Sequence, residues 1–385
     1  MFWQSLARYT LLHDLTLKDP MAHDFFDLQV AEKQAQTPDA SVIYLELPSG
    51  REALFAFTPG QYITLKVNIR GEEERRAYSL CTSPDDDKFG FCVKRLAGGK
   101  VSNYLIDSLQ KGQTLSIMPP EGRFVAKTDS ANRKTYYLIG AGSGITPLMS
   151  ISRKVLEDEP GSTVHLIYGN RSEDTIIFKS ELEDMEKRYN GQFTVNHILS
   201  QPARKKAGGL KGLFGKSKPT WNGRIGRIDP KELNLFLAER ESHSSDNQYY
   251  ICGPGGMIDT VEKELLRKGI DAKHIHTERF VTEEVAAADR IQGTPGAVKV
   301  TLDGKVIEIN CESGKTILET LVAAGKNPPY SCTSGACSTC IAKVTKGEVK
   351  MDVNHALDPD EVTEGYVLTC QSHPVTADVE LSYDE

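Results

Sequence analysis

The spacing of hydrophobic and polar positions changes along the chain and divides it into parts. From about Phe25 to Ala126, short β-rich runs such as Ser41–Leu47 and Tyr62–Val67 are separated by glycine and proline. Short strands without long helices between them are typical of an antiparallel barrel. The pattern therefore predicts a β-barrel domain over residues 25–130, preceded by an extension, residues 1–24, that has no clear pattern of its own.

Strand-like runs alternate with helical runs from residue 131 onwards, which predicts a parallel sheet with helices on both faces over residues 131–282. The predicted strands are Tyr136–Ile139, Val164–Tyr168, Phe193–Leu199 and Gln248–Cys252, and the predicted helices are Pro147–Leu156, Lys179–Arg188, Pro230–Ala238 and Met257–Arg267. The segment Gln201–Trp221 interrupts this domain with six Lys or Arg, four Gly and no acidic residue. It is interpreted as a solvated loop, with a partner-docking patch as the alternative.

Residues 283–296 are rich in alanine and end in glycine and proline, which is typical of a linker and suggests that the last domain can move. The runs Val298–Leu302 and Lys305–Ile309 then flank Asp303-Gly304, a dipeptide that predicts a β-hairpin. A short helix is expected around Ile317–Val322. Residues 297–385 are therefore predicted to form a third domain.

The formal charge of -7 belongs to this third domain, because Ala297–Glu385 contains seven Lys, no Arg and fourteen Asp or Glu. Without a basic surface, nucleic-acid binding is disfavoured.

No apolar run approaches the roughly 18 residues that a membrane span needs. Charged residues interrupt Met1–Leu17, which also lacks a clear cleavage site, so it is not interpreted as a signal peptide. These features predict a cytoplasmic protein.

Four cysteines provide the most specific motif in the chain. Cys332, Cys337 and Cys340 form C-x4-C-x2-C, and Cys370 follows after 29 residues, which is plant-type ferredoxin spacing. The residues between the first three are small, so the loop can aim backbone N–H groups at the sulfurs. Zinc is the alternative, although zinc ribbons usually show two C-x2-C pairs. Disulfides are disfavoured because nothing signals secretion. The spacing predicts a [2Fe–2S] cluster.

Two short motifs in the barrel domain are candidates for a flavin site. Arg76-Ala77-Tyr78-Ser79 offers a guanidinium for a pyrophosphate, a ring for stacking and a hydroxyl for the ring edge. Gly98-Gly99-Lys100-Val101-Ser102 is a glycine turn in which Ser102 is expected to begin a helix, a position that suits a phosphate. Taken alone, each motif more often has a structural role than a flavin-binding one.

Two glycine-rich turns follow predicted strands of the α/β domain. In Gly140–Pro147 (GAGSGITP), Thr146 is expected to cap the next helix and Pro147 to occupy its first position, with the pyrophosphate of a nucleotide near the glycines. The dehydrogenase motif G-x-G-x-x-G is not matched, because the third glycine, Gly144, comes one residue too early. The second turn is Cys252–Gly256 (CGPGG), which is expected at the same sheet edge. A buried core thiol is the alternative role for Cys252.

At these motifs the chain resembles the ferredoxin–NADP reductase family, in a form that carries a C-terminal plant-type ferredoxin. The resemblance extends from about His23 to Glu385 and is also carried by Tyr168–Arg171, Gly226–Asp229, His276–Phe280 and Gly365–Gln371. It implies a barrel that binds FAD, an α/β domain that binds NADPH or NADH, and an α+β ferredoxin domain with a β-grasp fold.

The resemblance also implies an acceptor. A di-iron oxygenase component, such as that of a phenylacetyl-CoA epoxidase, is expected first. Alternatives are a ring-hydroxylating oxygenase, a steroid hydroxylase or a hybrid-cluster protein, and a zinc-stabilised interaction protein without activity is the least favoured. A hydride donor gives two electrons at once and a [2Fe–2S] cluster takes one, so a flavin between them is required to release electrons singly.

Roles for individual residues are likewise implied by the resemblance. Ser79, Cys252 and Glu278 look like reaction-centre residues, in which Thr146 and Cys252 face the nicotinamide and Glu278 and Phe280 close the other side of the flavin. Arg171 is similar to an arginine that meets an adenosine 2′-phosphate, which favours NADPH. The other implied cofactor contacts are Arg76, Tyr78, Ser79, Val93, Lys94, Gly99, Val101, Ser102, Gly142, Gly253 and Pro254.

Overall fold

The computed structural model describes residues 24–205, 217–242, 244–280 and 289–385. Nearly all of the N-terminal extension, most of the basic loop and residues 281–288 of the predicted linker lie outside the described residues. By their contacts, the described residues form two units. The larger unit contains the described parts of Asp27–Glu284 together with the loop Ser331–Thr339, and the smaller contains the described parts of Val285–Tyr330 and Cys340–Glu385.

The first part of the larger unit is a six-stranded sheet with the order β4-β3-β6-β1-β2-β5. Its elements are β1 Phe26–Thr37, β2 Ala40–Leu45, β3 Tyr62–Ile69, β4 Glu72–Ser79, β5 Phe89–Lys94, α1 Lys100–Asp107 and β6 Thr114–Ile117. An isolated bridge between Leu80 and Phe91 joins the chain after β4 to the opposite edge strand, as closure of a barrel requires. Fully buried side chains such as Ile43, Ile63 and Leu65 fill its interior. The predicted antiparallel barrel is confirmed.

The second part of the larger unit is a parallel sheet with the order β12-β9-β8-β7-β13-β14. The strands of this part are β7 Thr135–Ala141, β8 Thr163–Asn170, β9 Phe193–Leu199, β10 Arg204–Lys205, β11 Lys218–Pro219, β12 Arg224–Ile225, β13 Asn247–Cys252 and β14 Ile275–Glu278, and its helices are α2 Ile145–Asp158, α3 Lys179–Arg188, α4 Pro230–Glu239 and α5 Gly255–Arg267. Leu148 and Leu182 pack on one face of the sheet, and Phe236 and Val261 on the other. The predicted α/β architecture is confirmed, and β10 pairs with β11 outside it.

The start of α2 differs from the prediction. The glycine turn before it forms a single 3-10 turn that continues into the helix, so α2 begins at Ile145 with Gly144 as its N-cap. Thr146 therefore lies inside the first helical turn, where its hydroxyl donates to Ser143 O at 3.0 Å. The predicted capping role of Thr146 and the first position for Pro147 are both wrong, because the turn is already helical when it reaches them.

The smaller unit is a mixed sheet with the order β16-β15-β21-β17-β19, next to the two-stranded β18-β20. Its elements are β15 Gly296–Leu302, β16 Lys305–Cys311, α6 Ile317–Ala323, β17 Ile341–Lys346, β18 Val349–Met351, α7 Pro359–Thr363, β19 Tyr366–Leu368, β20 Ser372–Pro374 and β21 Asp378–Ser382. The predicted hairpin is confirmed, since Asp303 (φ 52°) and Gly304 (φ 70°) make a turn with two left-handed residues. No helix among the described residues is long and apolar enough to cross a membrane.

The chain immediately before β15 is hydrogen-bonded to the smaller unit. Ile291 N donates to Asp352 Oδ1 at 2.7 Å, and Thr294 N donates to Pro374 O at 2.7 Å. This end of the predicted linker, residues 283–296, is therefore attached to the domain that follows it. The other predicted domain boundaries stay predictions.

Candidate functional site

Three residues that end different strands meet in the larger unit. Ser79 ends β4 of the barrel, and Cys252 and Glu278 end β13 and β14, which pair with each other in parallel. Ser79 Oγ donates to Glu278 Oε2 at 3.0 Å, and Cys252 Sγ lies 4.0 Å from the same oxygen. The structure thus brings together the three residues predicted at the reaction centre.

Burial sets the protonation of this group. It raises the pKa of Glu278 to about 8, opposed by the hydrogen bond from Ser79. The Glu278 residue keeps partial exposure, but its carboxyl group is withdrawn from water. Burial, followed by the neighbouring Glu278, also raises the pKa of the Cys252 thiol well above its ordinary value. At neutral pH the three side chains are therefore mainly uncharged and remain able to donate hydrogen bonds.

The two glycine turns pack directly against each other. A β-carbon at Gly144 would lie 2.1 Å from Cys252 O, and one at Gly253 would lie 3.2 Å from Ala141 N. Gly144 has a φ of -61°, so space rather than conformation requires glycine there. The close approach leaves the backbone at the start of α2 and of α5 at one sheet edge. Such an edge suits the pyrophosphate of a nucleotide.

Residues predicted to hold the flavin lie along β4. Arg76 Nη2 pairs with Glu74 Oε2 at 2.9 Å, while about half of the Arg76 side chain stays exposed (47%). The Tyr78 ring lies 5.2 Å from the Phe91 ring, and burial raises the pKa of Tyr78. A partly exposed guanidinium beside a ring fits a ligand with a phosphate and a flat ring system.

Strand β5, which the Leu80–Phe91 bridge links to the chain after β4, approaches the glycine turn of the α/β part. Lys94 Nζ lies 3.7 Å from the position that a β-carbon at Gly142 would take. Val93 and Val101 are 0% and 3% exposed, so they can contact a ligand mainly through their backbone. The predicted flavin and nucleotide residues therefore adjoin each other here.

The second flavin motif forms the start of α1, which begins at Lys100 and not at Ser102 as expected. Gly99 is the N-cap, and a β-carbon there would lie 2.6 Å from Ser102 Oγ. Ser102 Oγ accepts a hydrogen bond from Leu96 N at 3.1 Å. The hydroxyl keeps its own proton, which can be donated to a phosphate.

The remaining predicted residues lie further along the sheet edge. Arg171 is exposed just after β8 and forms no ion pair with the described residues. Pro254 is the N-cap of α5, and Phe280 is partly buried against the apolar cluster that contains Leu148 and Leu182. Thr146, predicted to face the nicotinamide, is 2% exposed and bonded within its own turn.

Two of the predicted cluster ligands lie in the loop Ser331–Thr339 of the larger unit. Cys332 Sγ accepts backbone N–H groups from Ser334 at 3.5 Å and Cys337 at 3.3 Å. The hydrogen bond from the Cys337 thiol, with these backbone bonds, lowers the pKa of Cys332 to about 5 although burial opposes it. A thiolate that accepts backbone N–H groups is the form that an iron–sulfur cluster binds.

The other two ligands lie in the smaller unit. Cys340 and Cys370 are 2% and 5% exposed and share one apolar cluster. Thr369 donates to Cys340 O through both its N and its Oγ1, each at 3.1 Å. All eight cysteines are free thiols, and the described residues contain no group of three or more His, Cys, Asp or Glu placed to hold a metal ion.

Sequence reasoning missed a hydrogen-bonded group in the larger unit. Thr339 Oγ1 donates to Glu121 Oε1 at 2.6 Å and lies 2.9 Å from Tyr62 Oη and 3.5 Å from Cys337 Sγ. Burial raises the pKa of Glu121 to about 7. Glu121 and Thr339 are 218 positions apart, so no local pattern connects them.

Sequence profiles of three known families match the chain. An oxidoreductase FAD-binding domain matches residues 27–125, an oxidoreductase NAD-binding domain matches residues 138–263, and a 2Fe-2S iron-sulfur cluster binding domain matches residues 300–375. Together with the fold and the site, these matches define a class: an oxidoreductase with a flavin, a pyridine nucleotide and a [2Fe–2S] cluster.

Full-length relatives narrow this class. One subunit of the 1,2-phenylacetyl-CoA epoxidase of Escherichia coli (strain K12) is 35% identical over 94% of this chain and 98% of its own length. The ferredoxin reductase component of 3-ketosteroid-9-alpha-monooxygenase from Mycolicibacterium smegmatis is 34% identical over 95% and 99%. The phthalate dioxygenase reductase structure is 25% identical with a TM-score of 0.55, over 94% of this chain and 99% of that one.

The chain therefore belongs to the family of flavin and iron–sulfur reductases that these proteins represent. The resemblance inferred from the motifs is confirmed. The zinc-stabilised interaction protein has no support among these matches.

Proposed function

We propose that this reductase takes electrons from NADPH and delivers them to a di-iron oxygenase component such as that of a phenylacetyl-CoA epoxidase. The observation that carries the proposal is the 35% identity to the phenylacetyl-CoA epoxidase component over 98% of that component's length. The identity extends along nearly the whole length of both chains. The acceptor is therefore proposed to be of the same type.

The reaction centre is assigned to Ser79, Cys252 and Glu278. When bound, a flavin accepts two electrons from a reduced nicotinamide and releases them one at a time to a [2Fe–2S] cluster. Ser79 orients the Glu278 carboxyl through the 3.0 Å hydrogen bond. Glu278, protonated at neutral pH, holds a proton at the reaction centre without bringing a charge into it. Gly144 packs directly against the Cys252 backbone and leaves no room for a β-carbon between them.

The choice of NADPH is supported by Arg171. Its guanidinium is exposed directly after β8, one strand away from the glycine turn that begins at Gly140. An arginine there can pair with a phosphate on the adenosine half of the coenzyme. The ligand set Cys332, Cys337, Cys340 and Cys370 is assigned to the cluster because the backbone N–H groups around Cys332 favour a thiolate.

A steroid-hydroxylating oxygenase is the second candidate acceptor. It is favoured by the 34% identity to the 3-ketosteroid-9-alpha-monooxygenase reductase, which covers 99% of that protein. The two identities are too close to separate the candidates, so direct coupling has to decide between them.

The test combines the full chain, loaded with FAD and its cluster under anaerobic conditions, with either oxygenase and its own substrate. We expect NADPH oxidation to yield epoxidised phenylacetyl-CoA with the di-iron components, at a rate at least about tenfold above that with NADH or with the steroid oxygenase. Product formation with the steroid oxygenase alone, or with neither, would overturn the proposed acceptor. A preference for NADH would overturn the coenzyme assignment.

A further inference from the structure

Three buried polar atoms on two neighbouring strands of the parallel sheet lack a hydrogen-bond partner. Asn170, the last residue of β8, is 8% exposed, and neither its amide nitrogen nor its amide oxygen is bonded. On β9, the Nδ1 atom of His197 is unbonded as well. Buried polar atoms are almost always paired in folded proteins. Exceptions at a ligand-binding edge therefore point to a ligand that completes them.

The register of the sheet places Asn170 beside the first glycine turn. In the β7–β8 pairing, Ala141 lies opposite Gly169. Tyr168 Oη donates to Gly142 O at 2.9 Å, so its side chain reaches the turn. Side chains alternate along a strand, hence Asn170 shares the face of Tyr168 and lies one step closer to the carboxyl edge. The Tyr168 hydroxyl is close to the Asn170 amide, but its proton goes to Gly142 and no bond of good geometry joins the two side chains.

The strand order determines which half of a coenzyme Asn170 can meet. Cys252 ends β13 on one side of β7, and Asn170 ends β8 on the other side. With the pyrophosphate at the turn after β7 and the nicotinamide towards Cys252, the adenosine half extends towards β8. Asn170 would then be close to the ribose of the adenosine.

The chemistry around Asn170 and His197 favours a ligand hydroxyl group over a second phosphate. Burial, followed by the nearby charge of Lys179, lowers the pKa of His197 to about 4, so the ring is neutral at physiological pH. An amide donates one hydrogen bond and accepts another, which matches the ribose 3′-hydroxyl, a group that both donates and accepts and that NADPH and NADH share. Arg171, which follows Asn170 directly in the chain, is exposed.

We propose that Asn170 is a coenzyme-binding residue whose amide hydrogen-bonds the adenosine ribose, next to Arg171, which distinguishes a 2′-phosphate from a 2′-hydroxyl. The inference rests on the proposed function, because it requires the pyrophosphate to bind at the glycine turn. It adds a contact that NADPH and NADH share, whereas the contact of Arg171 is specific to NADPH.

The test is calorimetric titration of the full-length, flavin-loaded protein with NADP⁺, NAD⁺ and 2′,5′-ADP. We expect Asn170→Ala to raise the Kd of all three about tenfold, since both amide hydrogen bonds are lost. Asn170→Asp has the same shape but carries a negative charge. It should therefore weaken NADP⁺ and 2′,5′-ADP at least about fivefold more than NAD⁺.

Asn196 provides a matched control, because it lies on β9 and its Oδ1 accepts from Arg240 Nε at 3.1 Å on the opposite face of the sheet. Asn196→Ala and Asn196→Asp should leave each Kd within about twofold. Unchanged affinities in both Asn170 variants, with the flavin spectrum and Tm of wild type, would overturn the inference. Failure of the wild-type protein to bind any of the three probes would instead overturn the proposed function.

Discussion

Ser79 donates a hydrogen bond to Glu278 over 3.0 Å and so joins the last residue of a barrel strand to the last residue of the parallel sheet's edge strand. The two residues are 199 positions apart. Because burial raises the pKa of Glu278 to about 8, the bond joins two uncharged groups at neutral pH. The protonation of one carboxyl is therefore expected to control this part of the site.

We predict that flavin reduction by NADPH slows as the pH rises through about 8, and that Glu278→Gln abolishes this dependence. Glu278 ionises in that range and places a charge beside Cys252, whereas glutamine stays neutral. Stopped-flow flavin reduction between about pH 6.5 and 9.5 measures it. The exposed Glu183 on α3 is the control, since Glu183→Gln should keep the wild-type profile. The same pH profile in Glu278→Gln and wild type would contradict the assignment.

Stability should respond to the same carboxyl. An ordinary glutamate ionises near 4.5 in the unfolded chain, whereas Glu278 ionises near 8 in the folded one. Protonation of Glu278 therefore stabilises the folded state. This contribution to the free energy of unfolding is complete below pH 4.5 and is lost as the pH rises through 8. We predict that Glu278→Gln raises Tm relative to wild type more at pH 8.5 than at pH 5. An equal difference at both pH values would argue against a buried carboxyl.

Gly144→Ala is predicted to damage the site by steric exclusion alone. The new methyl group would lie 2.1 Å from Cys252 O, so the end of β13 has to move. We expect a loss of about 1–3 kcal/mol in the free energy of unfolding and a slower flavin reduction by NADPH. Gly256, in the first turn of α5, has nothing within 4 Å of a β-carbon and is the control. If Gly144→Ala and Gly256→Ala had the same free energy of unfolding and the same rate of flavin reduction, the close packing of the two glycine turns would not be required.

Arg171→Ala is predicted to raise KM for NADPH by at least about tenfold while changing KM for NADH less than about twofold. The 2′-phosphate, which only NADPH carries, would lose its guanidinium partner. Steady-state kinetics with both coenzymes measures the ratio, and Arg188→Ala at the end of α3 is the control for a lost surface charge. An equal rise in KM for both coenzymes would indicate that Arg171 contacts a phosphate that NADPH and NADH share.

Cys337→Ser is predicted to leave flavin reduction by NADPH nearly intact and to abolish electron delivery to cytochrome c. A serine hydroxyl at this position is a far poorer iron ligand than a thiolate, whereas the Ser79–Glu278 contact is untouched. Stopped-flow flavin reduction and cytochrome c reduction are measured on the same preparation. The free, buried Cys311 provides the control variant Cys311→Ala, which should retain both activities. Loss of both steps in Cys337→Ser would contradict separate roles for the two cofactor sites.

Local patterns were sufficient for much of the fold. The helix Lys179–Arg188 and the strand Phe193–Leu199 have the predicted bounds, because apolar periodicity is a property of the segment itself. The turn at Asp303-Gly304 was predictable for the same reason, since both residues tolerate a positive φ.

Features that depend on distant partners could not be predicted. At the start of α2, Gly144 packs on Cys252, which is 108 residues away along the chain. The contact of Glu121 with Thr339 spans 218 positions, and although Thr339 lies inside the cysteine motif, no local pattern indicates Glu121 as its partner. The unbonded amide of Asn170 is visible only when the register of three strands is known.

The hydrogen bonds from Ile291 and Thr294 change where the iron–sulfur domain can be cut. Composition sets the boundary near Ala297, but a fragment that started there would lose both bonds and would uncover Asp352 and His373, whose side chains are 3% and 0% exposed. A fusion of this domain to another reductase should therefore include the chain from Asp289 onwards. The transferred domain then keeps the N-terminal residues that form these two hydrogen bonds.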